Sequence, residues 1–116
     1  MVKQKITFKL YSADEPRAFF GPGPYLLLKQ IEETHSIAKA AKRMNMAYTK
    51  ALSLLRRAET ALGQPLVAAK TGGHGGGGSE LTETAKAMIA AFSECQASLD
   101  AQAEALYHQH FSFLSD

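Results

Sequence analysis

Apolar residues alternate at the start of the chain. Within "KITFKLY", Ile6, Phe8 and Leu10 are each separated by one polar neighbour. A period of two belongs to a half-buried strand, so Lys5–Tyr11 is expected as a strand, with "SADEPR" as the polar turn behind it. "GPGP" (Gly21–Pro24) then interrupts the chain, and beyond it the period changes. Leu27, Leu28 and Ile31 recur at helical spacing, and a proline suits the first helical turn, where its missing N–H has no partner to lose. The first helix is predicted from about Pro24 to His35.

Ser36 precedes "IAKAAKRMN" and reads as an N-cap. Ile37, Ala40, Ala41 and Met44 form the inward stripe of a short second helix, with Lys39, Lys42 and Arg43 off it. "NMA" (Asn45–Ala47) is a tight turn, and Asn45 tolerates the left-handed backbone that ends many helices. A third helix, "YTKALSLLRRAETAL", runs up to Gly63 as its C-cap. Ala51, Leu55, Ala58 and Leu62 supply its apolar side; Tyr48, Thr49, Lys50, Ser53, Arg56 and Arg57 supply a polar, basic side. "QPLVAAK" reads as a strand and "SELT" as its short return, making a hairpin around the glycine run of "KTGGHGGGGSELT".

From Thr82 to about Leu114 there is neither Pro nor Gly, which predicts one helix roughly 45–50 Å long. Ala85, Met88, Phe92, Cys95, Leu99, Gln102, Leu106, Gln109 and Phe113 alternate spacings of three and four, a heptad seam. Such a helix overhangs the rest of the domain. Its seam needs a covering surface, and an identical chain is the simplest supplier, through Met88, Phe92, Cys95, Leu99 and Leu106. The alternative is a helix folded back on its own domain or broken near Leu106.

Composition narrows the classes. A chain of 116 residues with 46% hydrophobic and 21% charged residues fits one soluble folded domain. No stretch approaches a membrane span or a signal core, so a cytoplasmic location and no membrane partner are expected. A single cysteine, Cys95, excludes an internal disulfide and a zinc ribbon. His108 and His110, two apart on a helix, point to different sides and make a poor metal pair. No nucleophile–base spacing is present, so neither an enzyme nor a cofactor is expected.

Charge adds the decisive asymmetry. Residues 36–70 carry seven Lys or Arg against one acid, Glu59, whereas residues 71–116 carry one lysine against six acids. A basic block inside a near-neutral chain is the footprint of a polyanion-binding face.

The element order, mainly α with a small β part, is that of a winged helix-turn-helix with an N-terminal strand and a long C-terminal helix: residues 1–81 would bind DNA and 82–116 would dimerise. In that arrangement the third helix, about 47–62, enters the major groove of double-stranded DNA. Its first turn makes Tyr48, Thr49 and Lys50 the base-contact candidates, Lys50 as a donor to guanine O6/N7. Ser53 follows one turn on, and Arg56 and Arg57 are placed to meet phosphate. Ser36 and Lys39 on the second helix are further phosphate candidates. The glycine run lacks the Lys-Ser/Thr and following helix of a phosphate-binding loop. A flexible linker remains open, but strands on both sides favour a wing, with Lys70, Gly72, Gly73, His74 and Gly75 approaching the DNA backbone. The alternative function on the same fold is a non-specific architectural DNA-binding protein or a dimeric adaptor.

"SIAKAAKRMNMAYTKALSLLRRAETALGQPLV" resembles the winged helix-turn-helix of LysR-type regulators, including the Ala-Ala pair and the "LGQPL" leading into the wing. "TGGHGGGGSELTETA" is similar to the wing of a subgroup, the molybdate-responsive ModE-type regulators. The resemblance implies a homodimeric bacterial transcription regulator with Tyr48, Thr49 and Lys50 at the major groove. Two departures stand out: Ala47 where that family commonly has a capping serine, and Leu52 where a tryptophan is common. The oxyanion-binding domains of such regulators are not expected within these 116 residues, so molybdate sensing and a small-molecule effector domain are not carried over.

Overall fold

The computed structural model describes residues 2–70 and 78–114. Helix α1 (Pro22–Thr34) opens with Pro22 at its first position, two residues before the start expected at Pro24. It closes at His35, whose left-handed backbone (φ 57°) turns its N–H onto Ile31 O at 2.8 Å. Helix α2 (Ile37–Arg43) follows at once, with Ser36 Oγ accepting from Lys39 N at 3.1 Å. The orphan carbonyls at its end are met by the turn itself. Asn45 N donates to Lys42 O at 3.1 Å and Met46 N to Ala41 O at 3.0 Å, with Asn45 left-handed at φ 54°. That pair of bonds is a Schellman closure, and it sets the reversal between α2 and helix α3 (Tyr48–Leu62).

Strands β1 (Val67–Lys70) and β2 (Gly78–Leu81) pair antiparallel, from Val67 opposite Leu81 to Lys70 opposite Gly78. Helix α4 (Glu83–Phe111) is capped by Thr82, whose Oγ1 accepts from Ala85 N and donates to Pro65 O. A short 3-10 turn, Ser112–Leu114, ends the described chain. No helix among the described residues is long and apolar enough to cross a membrane.

The strand expected over Lys5–Tyr11 forms only in part. Gln4, Ile6, Phe8 and Leu10 alternate inward as a strand would, but among the described residues this segment pairs through a single bridge, Leu10 opposite Phe20. A ladder needs a partner of matching length, and here the inward side chains have a helix beneath them instead. Phe8 stacks on Phe92 of α4 at 4.4 Å, and Gln96 Nε2 donates to Ile6 O at 2.6 Å.

Phe92 therefore joins three parts of the chain. Its ring stacks on Phe8 and on Tyr25 of α1 (4.9 Å) and meets Phe20 edge-on at 5.5 Å. Around it, α1 contributes Leu27, Leu28 and Ile31 to the core. Alanines do the closest packing: Ala40, Ala41, Ala51, Ala58 and Ala85 are each at most 2% exposed. The heptad seam thus splits. Its first three positions, Ala85, Met88 and Phe92, pack on its own chain, and the overhang begins beyond them. Phe92 is a core residue and is removed from the set of seam positions open to a partner. The fold-back alternative holds for the first turns of α4, and α4 runs unbroken past Leu106.

Phe92→Ala removes a ring packed between three aromatic partners. The expected loss is about 3–5 kcal/mol of unfolding free energy, read as a lower urea midpoint; an unchanged midpoint would contradict this packing.

Candidate nucleic-acid interface

Helix α3 divides cleanly. Ala51, Leu55 and Ala58 are buried, while Thr49, Lys50, Ser53 and Arg56 are exposed, Tyr48 is 50% exposed and Arg57 is half-buried. Spacings of three and four put one set toward α1 and α2 and leave the other facing outward. Ala47 holds the extended backbone of an N-cap (φ −66°, ψ 146°) but has no side-chain oxygen, and no side-chain cap bond forms.

The second helix contributes less freely. Ser36 Oγ is occupied by Lys39 N, and the Lys39 and Lys42 side chains are exposed. Arg43 is drawn back to α1, with Nη1 3.2 Å from Glu33 Oε1 and 3.1 Å from Gln30 Oε1. Lys70 is exposed at the end of β1. Gly72, Gly73, His74 and Gly75 lie outside the described residues. The base of the hairpin is described, and it is tied to the helix-turn-helix: Ser79 N donates to His35 O at 2.9 Å. Gly78 lies so close that a Cβ there would stand 2.7 Å from the same carbonyl, so only glycine fits.

The segment Ser12–Phe19 leans toward the outer face of α3. Between them is an open cleft of about 1020 Å³, with Asp14, Glu15 and Arg17 on one wall and Thr49, Ser53, Arg56 and Arg57 on the other. "SADEPR" had carried no signal beyond a turn, because a polar hexapeptide does not say which element it will lean on. Lys50, Arg56 and Arg57 form no ion pair among the described residues. Glu59, the lone acid of the basic block, is used elsewhere: its Oε2 accepts from Leu66 N at 2.8 Å and fixes the chain as it leaves α3. Of the other expected seam residues, Met88 packs on the core, Leu99 is half-buried, Cys95 is exposed and Leu106 is 38% exposed.

Comparison with known proteins adds an independent line. Residues 25–86, more than half of the chain, match the bacterial regulatory helix-turn-helix proteins of the lysR family. The chain is 37% identical over 84 residues to Transcriptional regulator ModE of Yersinia pestis, covering 72% of this chain and 30% of that protein. It is 38% identical over 72 residues to Molybdenum transport protein ModE of Herbaspirillum seropedicae, covering 62% of this chain and 27% of that one. It is 35% identical over 71 residues to Molybdenum-pterin-binding protein MopB of Rhodobacter capsulatus, covering 61% and 26%. The chain thus spans under a third of the length of these relatives.

Two substitutions check the local geometry. Ala47→Ser supplies the missing cap oxygen on an already extended backbone and is expected to add about 1 kcal/mol of stability, seen as a higher melting temperature. Gly78→Ala is expected to break the hairpin's tie to α1, seen as faster hydrogen exchange at the Ser79 amide; unchanged protection there would show that the contact at His35 O does not hold the hairpin.

Proposed function

The chain belongs to the lysR family of bacterial regulatory helix-turn-helix proteins, and from that premise we propose that it binds double-stranded DNA sequence-specifically as a homodimeric transcription regulator. The observation that carries this reading is the outer face of α3: Tyr48, Thr49, Lys50, Ser53 and Arg56 exposed, with none of its cations ion-paired among the described residues. In this reading α3 lies in the major groove, with Tyr48, Thr49 and Lys50 at base edges and Ser53, Arg56 and Arg57 toward the backbone. Ser36 and Lys39 meet phosphate from α2, and the wing expected over 70–80 lies on flanking DNA. The relatives named Transcriptional regulator ModE and Molybdenum transport protein ModE support the regulator reading, and a bacterial cytoplasmic setting goes with it.

Dimerisation is proposed through the overhanging part of α4. Support comes from where the large exposed apolar side chains gather: Leu106 (38% exposed), Phe111 (43%), Phe113 (78%) and Leu114 (46%) all lie in its last turns or just beyond. Unpartnered apolar surface of this kind favours a covering surface, and a helix seam is self-complementary across a two-fold axis. Residues 1–81 with the first turns of α4 then form the DNA-binding unit, and the rest of α4 the dimer arm.

Selection from a random DNA pool at physiological salt, with excess competitor, is expected to enrich an inverted repeat. Lys50→Ala is expected to cost about 1–3 kcal/mol at one base position and relax the preference there. Enrichment of no sequence, with binding that vanishes as salt rises, would instead mark a phosphate-only architectural protein. Leu106→Asp is expected to shift the sedimenting species from dimer to monomer while leaving the helical circular dichroism unchanged; a persistent dimer would move the interface elsewhere.

A further inference from the structure

A second groove borders α3, next to the acid-bearing cleft and sharing Arg17, Phe19 and Arg57 with it. It has a volume of about 510 Å³ and is lined by Lys9 and Tyr11 of the extended segment, by Arg17, and by Lys50 and Arg57 of α3. No Asp or Glu lines it. Four cations from three stretches of chain converge there without a carboxylate, and none of them forms an ion pair among the described residues. Such a cluster repels itself in the free protein and is relieved only by a polyanion.

Lys9 is held in place. Its stem lies across Gly21, where an added Cβ would stand 3.0 Å from Lys9 Cγ. Beyond that stem Lys9 lines the groove together with Arg17 and with Lys50 and Arg57 of α3. Arg17 follows Pro16 and so sits on a stretch with restricted backbone freedom.

We propose that this groove seats the DNA sugar-phosphate backbone beside the base-contacting face of α3, with Lys9 and Arg17 as phosphodiester-contacting residues that set the angle at which α3 enters the groove. The inference rests on the DNA-binding reading above. Continuity argues for DNA over any other polyanion: Lys50 lies both on the face proposed to meet bases and on the wall of this groove. A strand read by Lys50 therefore has its phosphates within reach of the cations opposite. The neighbouring cleft over Ser53 and Arg56 mixes Asp14 and Glu15 with Arg17, Arg56 and Arg57, while the groove beside Lys9 is lined by cations and no carboxylate.

The test uses the full chain and the DNA site enriched by selection. Binding is measured from low to moderate salt for wild type, Lys9→Gln/Arg17→Gln and the charge-conserving Lys9→Arg/Arg17→Lys. Each lost phosphate contact lowers the slope of log affinity against log salt by about 0.9. The neutral double variant loses two contacts per protomer, four per dimer, and is therefore expected to lose about 3.6 of slope, with its base preference unchanged. The charge-conserving variant keeps the slope. Both residues are exposed, so the melting temperature is expected to hold. Should the double variant nonetheless unfold, Gly21→Ala displaces the Lys9 stem without removing charge, and a fall in affinity with unchanged base preference is then expected. An unchanged slope in a folded neutral variant, while wild type still binds its site, overturns this inference alone and leaves the groove to another polyanion such as an acidic protein segment. If wild type binds no DNA at all, the proposed function fails first and this inference falls with it.

Discussion

The placement of Phe92 is the constraint on which the rest depends. One ring on α4 stacks on Phe8 and Tyr25 and touches Phe20. It thereby gathers the extended N-terminal segment, the loop before α1, α1 itself and the long helix. Without that junction the N-terminal segment would be left with the Leu10–Phe20 bridge and the Gln96–Ile6 hydrogen bond to hold it. Lys9 and Arg17, carried by that segment and the loop behind it, would have no defined position beside α3. The long helix is thus more than an arm for a second chain: its first turns are part of the core that orients the face proposed to meet DNA.

Close approach among the three short helices has a different source. Ala40 and Ala41 on α2, and Ala51 and Ala58 on α3, are almost fully buried. Small side chains let backbones approach, which a seven-residue helix needs if it is to bury anything useful. The reversal between the helices is set by backbone bonds around Asn45, and the hairpin base is set by His35 O, the carbonyl of the residue that ends α1. A single short connection, His35–Ser36, therefore fixes both the start of α2 and the position of the hairpin. Disturbing it would move the proposed base-reading helix and the wing together.

Much of this was legible in the sequence where one residue dictates one local geometry. Ser36 capped the helix it was expected to cap, Asn45 took the left-handed turn, Gly63 ended α3 in the left-handed region (φ 68°), and the period change after "GPGP" located α1 to within two residues. The misses were of another kind, since each depended on what lay across space. Period-two burial over residues 4–10 was real, but alternation cannot report whether the neighbour is a strand or a helix. The heptad spacing of α4 was also real, yet spacing cannot say that Phe92 faces its own chain while Leu106 does not. Glu59 looked like a stray acid among cations, and only the fold brings Leu66 N to it. Lys9 and Arg17 lay outside the basic block counted along the chain, so a linear tally of charge could not place them beside Lys50.

That last difference bears on how such a small domain could read DNA. The +6 block of residues 36–70 gives attraction without direction, because charges spread along two helices attract a polyanion in many poses. Direction requires cations gathered at one place beside the reading helix. The extended N-terminal segment and the loop behind it supply two of these, since Lys9 and Arg17 line one groove with Lys50 and Arg57 of α3 and no carboxylate lines it. In this account the long helix and Phe92 serve recognition indirectly, by holding the N-terminal segment where Lys9 and Arg17 stand beside α3.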